Sequence, residues 1–174
     1  MGVIDQLKTR VPSSLKTFVA VDTAVELPAR NAGPEFVTKE IRCGCGCAEF
    51  YMRSVARTES KGLFKKRHVT RHDPPFYLCC AGCRRIALLF DPAIHGWNGQ
   101  MPGASASEID EGSLSLTPDE GNVVVNYSYQ SSDNYEELAE EGIENAEDYF
   151  DTFTIYFRPI GQGDLREVGS YECA

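Results

Sequence analysis

A chain of 174 residues is long enough to bury one core, and a single domain over 1–174 is expected. Its 42% hydrophobic and 25% charged residues exclude wholesale disorder, and its longest apolar run, Ile86–Phe90, is far below the roughly 20 residues of a membrane span. The net charge is −9, and the acidity of the C-terminal half makes free nucleic acid a poor partner for that half.

The start, Met1-Gly2-Val3-Ile4-Asp5, lacks the charged and apolar regions of a secretory signal, and Gln6 breaks the myristoylation pattern. No membrane association is expected, and the expected location is the cytoplasm. Val3, Ile4, Leu7 and Val11 recur at helical spacing, which predicts a short helix over 2–10 stopped by Pro12. Val19, Val21, Val25 and Leu27 alternate and predict a strand from Phe18 to Leu27, closed by Pro28. Strands are expected at Phe36–Ile41 and Glu49–Arg57, then a basic loop from Lys61 to His72, then strands at Phe76–Cys79 and Arg85–Phe90. The segment 91–120, rich in Gly, Pro, Ser and Asp, reads as a long loop with a short strand at 113–117. Val123, Val125, Tyr127 and Tyr129 alternate with Val124, Asn126 and Ser128, the pattern of a half-buried strand. Asp133 and Glu136 form a capping pair for a helix at 134–141, with Gly142 past its end. Phe153, Ile155 and Phe157 mark another strand, and Arg166–Tyr171 a last edge strand. The total of about seven or eight strands and two helices is a β-rich α+β domain.

Six of the seven cysteines fall in two groups, Cys43-Gly44-Cys45-Gly46-Cys47 and Cys79-Cys80-Ala81-Gly82-Cys83, with Cys173 apart. A disulfide framework would scatter them and pair them evenly. Four thiolates at tetrahedral positions suit a closed, structural Zn²⁺ site, with no open position for a catalytic water. The expected ligands are Cys43, Cys45, Cys80 and Cys83. Cys45 is chosen because Gly46 follows it and permits the left-handed turn that ends a knuckle. Cys47 is the alternative member of the first pair. Cys79 is set aside because adjacent residues of a strand point to opposite faces. Iron–sulfur ligation uses the same donor type and is the rival to zinc.

Residues 41–90 resemble zinc-ribbon proteins through Ile41-x-Cys43-x-Cys45-Gly46-x-x-x-Phe50 and Leu78-x-Cys80-x-x-Cys83. With Leu89-Phe90-Asp91 and His95-Gly96-Trp97 the chain also resembles a group of small bacterial proteins, some of them encoded beside toxin genes. The resemblance implies a zinc-ribbon-like double knuckle at 41–90 inserted in the α+β domain, and a role of immunity type.

The charge is unevenly distributed. Residues 1–85 carry +7 and residues 86–174 carry −16, and no Lys or Arg lies between Arg85 and Arg158. A basic protein, possibly a toxin, is the partner that such an acidic half suits. On the predicted helix, Glu136, Glu137, Glu140 and Glu141 place like charges at i,i+4, which costs about 0.2–0.5 kcal/mol per pair unless a cation relieves it. These four are the expected partner-binding residues. The alternative is nucleic-acid binding by the basic stretch from Arg53 to His72, where Phe64 sits among cations. His95 beside Trp97 is read as structural, a turn histidine that satisfies nearby backbone. No P-loop, dinucleotide fingerprint, Gly-x-Ser-x-Gly or His-Glu-x-x-His is present, and the chain is not expected to be an enzyme.

Overall fold

Alternating β-branched and aromatic residues at 121–129 and 150–159 build the two central strands. The computed structural model describes residues 11–61, 67–95, 114–117, 119–129, 137, 140–141 and 150–172, with the backbone alone at 57–61, 67–71 and 129. The predicted helix at 2–10 and Cys173 lie outside these residues.

Among the described residues nine antiparallel strands form one branched sheet. They are β1 (Val19–Asp22), β2 (Phe36–Arg42), β3 (Glu49–Lys61), β4 (Arg67–Cys80), β5 (Ile86–Phe90), β6 (Ser115–Leu116), β7 (Gly121–Tyr129), β8 (Phe150–Pro159) and β9 (Arg166–Glu172). β7 is the branch point: it pairs with β2, with β8 along its length, and at its first two residues with β3. One branch runs β1-β2-β7-β8-β9 and the other continues through β3-β4-β5. Gly121 sits at the junction, where an added Cβ would lie 2.5 Å from the Arg158 carbonyl oxygen and 2.6 Å from the Phe157 ring. A side chain there would prise β7 from β8.

The α+β expectation is therefore corrected. Among the described residues, helical structure is limited to the 3-10 turns Ser13–Leu15 and Ala29–Asn31, the one-turn α1 (Pro92–His95) and a turn at 137–141. Three local expectations also change. The strand expected from Phe18 to Leu27 ends at Asp22, where the pairing with β2 ends opposite Lys39. The basic loop expected from Lys61 to His72 is strand at Lys61 and from Arg67 on, since β3 and β4 stay in register from Val55↔Asp73 to Lys61↔Arg67, and 62–66 lie outside the described residues. β7 is buried on both faces, with Val124, Asn126 and Ser128 as inaccessible as Val123 and Val125. The second face is covered by the 28–34 loop. Asn31 donates to the Tyr156 hydroxyl, and the Asn126 amide donates to the Asn31 carbonyl at 3.2 Å and to Thr38 Oγ1 at 2.9 Å. Polar residues can line this layer because they bond to one another.

The core lies where the two branches curl together. In register across β7 and β8 stand Val123 with Phe157, Val125 with Ile155 and Tyr127 with Phe153. From the other branch, the Phe90 ring stacks on Phe153 at 5.1 Å and on Tyr171 at 4.8 Å. Phe153 is fully buried and also meets Tyr127 and Phe150. Phe153→Ala should cost about 3–5 kcal/mol, the range for emptying a packed aromatic site. Ile86→Ala, at the half-exposed start of β5, should stay within about 0.5 kcal/mol. Urea denaturation of the two variants checks the pair.

Candidate metal centre

Two tight turns present the cysteines. The first follows β2: the Cys43 amide donates to the Cys47 carbonyl at 2.8 Å and the Gly46 amide to the Cys43 carbonyl at 2.8 Å. Gly46 has φ +90°, the left-handed geometry expected after Cys45, which glycine adopts without steric cost. The second turn follows β4, closed by Cys80 N–H to the Arg85 carbonyl at 2.9 Å and Arg84 N–H to the Cys80 carbonyl at 3.0 Å. Here the left-handed position, φ 61°, is filled by Arg84, which costs roughly 1–2 kcal/mol relative to glycine. Its guanidinium lies over the Tyr51 ring, 5.8 Å from the centroid, a contact that offsets part of that cost.

The β3–β4 ladder brings the turns together. Phe50 pairs with Cys80, and the Ala81 amide donates to the Glu49 carbonyl at 2.9 Å. The described part of the 31 residues between Cys47 and Cys79 is the β3–β4 ladder, whose cysteine-bearing ends meet, so the length does not separate the knuckles.

Cys43, Cys45, Cys80 and Cys83 lie together, with all four sulfurs within 4.8 Å of one another. Cys43–Cys83 and Cys45–Cys80 are each 3.6 Å apart. Disulfide sulfurs would be about 2.05 Å apart, and all six described cysteines are free. A tetrahedron with zinc–sulfur bonds of about 2.3 Å has edges of about 3.8 Å, so the donor set fits a metal ion of that kind. Cys43 and Cys80 are buried, whereas Cys45 and Cys83 face solvent. The Cys83 amide points at Cys80 Sγ, 3.5 Å away.

The other thiols are aimed elsewhere. Cys47 Sγ faces the Glu49 carbonyl at 3.6 Å, and Cys79 Sγ faces the Arg84 carbonyl at 3.9 Å. Cys47 packs against the turn because residue 82 is glycine, whose added Cβ would stand 3.3 Å from Cys47 Cβ. The alternative first pair with Cys47 is thus not the one that gathers.

Electrostatics favour a cation at the centre. A backbone hydrogen bond from Cys47, helped by the sulfurs of Cys80, Cys43 and Cys83, lowers the Cys45 thiol to about 7. For Cys43 a backbone hydrogen bond from Cys45 pulls down, but burial and the neighbouring thiols outweigh it and push the group up to about 12. Four sulfurs this close cannot all be anionic at neutral pH without a positive ion among them.

The remaining expected site residues sit apart from this centre. Glu137, Glu140 and Glu141 are exposed on one helical turn, with the Glu141 amide donating to the Glu137 carbonyl at 2.9 Å. Glu136 and Trp97 lie outside the described residues. His95 is buried: its Nδ1 accepts the Asp91 amide at 2.9 Å and its ring stacks on Phe90 at 5.5 Å. Asp91 Oδ1 in turn caps the Ala93 amide at 2.9 Å. Sequence reasoning missed α1, although Asp91 one residue before Pro92 is an N-terminal helix signature.

No protein-family model matches the chain, and neither a curated protein nor a solved structure matches it.

Cys80→Ser and Cys83→Ser should abolish metal binding, while Cys47→Ser and Cys79→Ser should keep it, as read by elemental analysis with thiol titration. Stripping the metal should lower the melting temperature by roughly 10 °C or more, the size expected when several kcal/mol are lost from a domain of this length. Metal affinity should fall as the pH is lowered from 8 to 6, because the Cys43 proton must always be displaced, and more steeply below about 7, where the Cys45 thiol is protonated as well. A competition titration with a chromogenic chelator between pH 6 and 8 measures this.

Proposed function

We propose that the chain is a zinc-stabilised protein-binding module of immunity type, which engages a basic protein, such as a toxin, through its acidic half. Four thiolates close a zinc site, so the metal is a structural clasp and not a centre of catalysis. Carboxylates on the acidic half would occupy a cationic active site and exclude its anionic substrate. The observation that carries this reading is the turn at 137–141. Its three carboxylates are exposed, and among the described residues no basic side chain pairs with them. Lys39 pairs with Asp22 and Arg42 with Glu40, so part of the N-terminal positive charge is neutralised locally, not by the acidic half. Arg30 and Glu167 do join the two halves. The absence of a membrane-spanning helix among the described residues agrees with a partner met in solution.

The test is co-expression and purification with the product of an adjacent toxin-like gene, followed by association kinetics. Replacing Glu136, Glu137, Glu140 and Glu141 with Gln should leave metal content unchanged and slow association about tenfold at low salt, because complementary charge acts mainly on the on-rate. It should also flatten the salt dependence. Unchanged kinetics would reduce the turn to a solvated face.

The nucleic-acid alternative is favoured by one observation. In the β3–β4 ladder Arg57 stands opposite Arg71 and Lys61 opposite Arg67. Like charges directly opposite destabilise a ladder, and phosphates would relieve them. The expected mobility-shift result at about 0.15 M salt is no complex tighter than the non-specific range of about 10⁻⁴–10⁻⁶ M. A submicromolar complex would put nucleic acid first.

A further inference from the structure

The branched sheet curls without closing, and a cleft of about 720 Å³ remains between the β3–β4 and β8–β9 arms. This size lies within the range of about 300–1,000 Å³ usual for ligand pockets. Met52 and Phe157, both buried, and the Tyr171 ring supply its apolar lining.

Its polar rim has an excess of negative charge. Asp73 comes from β4, Asp119 from the segment after β6, and Glu167 from β9. Arg166 is the one guanidinium on this lining, and it donates to Gln162. Glu167 accepts from Arg30. Asp119 is exposed, and no described cation pairs with its carboxylate. His72 adds a neutral, oriented ring. Its Nδ1 lies 2.7 Å from the Oγ of Ser54, which is fully buried, and its own burial lowers its pKa although Asp73 opposes the shift.

Apolar side chains beside carboxylates fit a ligand with an apolar stem and a cationic head. Arginine and lysine have that form. The Tyr171 ring adds a face to which such a head is attracted. We propose that this cleft receives a long basic side chain, arginine or lysine, presented by the partner protein. The inference rests on the reading that the partner is basic, and it names the place where such a partner is anchored. Anchors of this kind, a charged side chain desolvated in a central pocket, carry much of the energy of an interface.

The test titrates the metal-loaded full chain with Nα-acetyl-arginine N-methylamide and follows backbone amide signals by NMR. The citrulline analogue serves as a control of the same shape without the charge. Saturable shifts are expected at Thr117, Val168 and Gly169. The citrulline probe should bind about tenfold more weakly, the effect of losing a charge-assisted hydrogen bond. Asp119→Asn should weaken the arginine probe several-fold without changing the melting curve, since this side chain is exposed. Asp73→Asn is a second variant with the same expected direction. Equal binding of the two probes, an unaltered affinity in Asp119→Asn, or shifts confined to Glu137, Glu140 and Glu141 would each overturn the proposal. Loss of arginine binding while a basic partner still associates would retire the cleft alone. Arginine binding that persists when no basic protein associates would support the cleft and retire the functional reading.

Discussion

The antiparallel pairing of β3 with β4 is the constraint on which the rest depends. By placing Phe50 opposite Cys80, it sets the turn that precedes β3 beside the turn that follows β4. Two sulfurs of the cluster, Cys43 and Cys80, belong to the same buried layer as Phe50 and Leu78. The other two, Cys45 and Cys83, reach solvent. A metal held there would bind the ends of β2, β3, β4 and β5 into one unit, anchored in the core on one side and accessible to exchange on the other. The same hairpin sets β3 against the first two residues of β7, where Gly121 also lets β8 pass close on the other side.

The branching has a second consequence. A sheet that splits at β7 must curl to bury its inner face, and the aromatic contacts of Phe90 with Phe153 and Tyr171 mark where it succeeds. Where the arms diverge, backbone and side chains leave a cleft instead of a packed layer. The cleft and the metal centre therefore have one origin. Both follow from β3–β4 being held at one end by β7 while the arms separate further along.

The distribution of charge makes sense within this frame. Lys39 and Arg42 meet acids from their own half of the sequence, and Arg30 meets Glu167 of the other. In the distal part of the hairpin Arg57 is in register with Arg71 and Lys61 with Arg67.

Much of the site could be read from the residues in order. Ligand spacing is local, and Gly46 announced a left-handed turn after Cys45 that the backbone indeed makes. The alternation in 150–159 and 166–172 marked strands because side chains of a strand change face at every residue. The hairpin between the knuckles was harder to read, since its charged residues carry no apolar period, and pairing with a partner strand decides such a segment. Of the helix expected at 134–141, the described Glu137 and Glu140 are helical, and the α+β expectation fails because antiparallel strands make up most of the described chain.

The sequence by itself determined which cysteines could gather, where the main strands run and how charge divides, because each of these depends on near neighbours. Tertiary structure alone decided that Cys43 and not Cys47 joins Cys45 in the cluster, since Cys47 turns toward the Glu49 carbonyl. It decided that Asn126 and Ser128 are interior, because Asn31 comes from 95 residues away to cover the second face of β7. It also decided where the cleft lies. Burial and cavities are properties of what packs against a strand, and no local pattern along the chain specifies that.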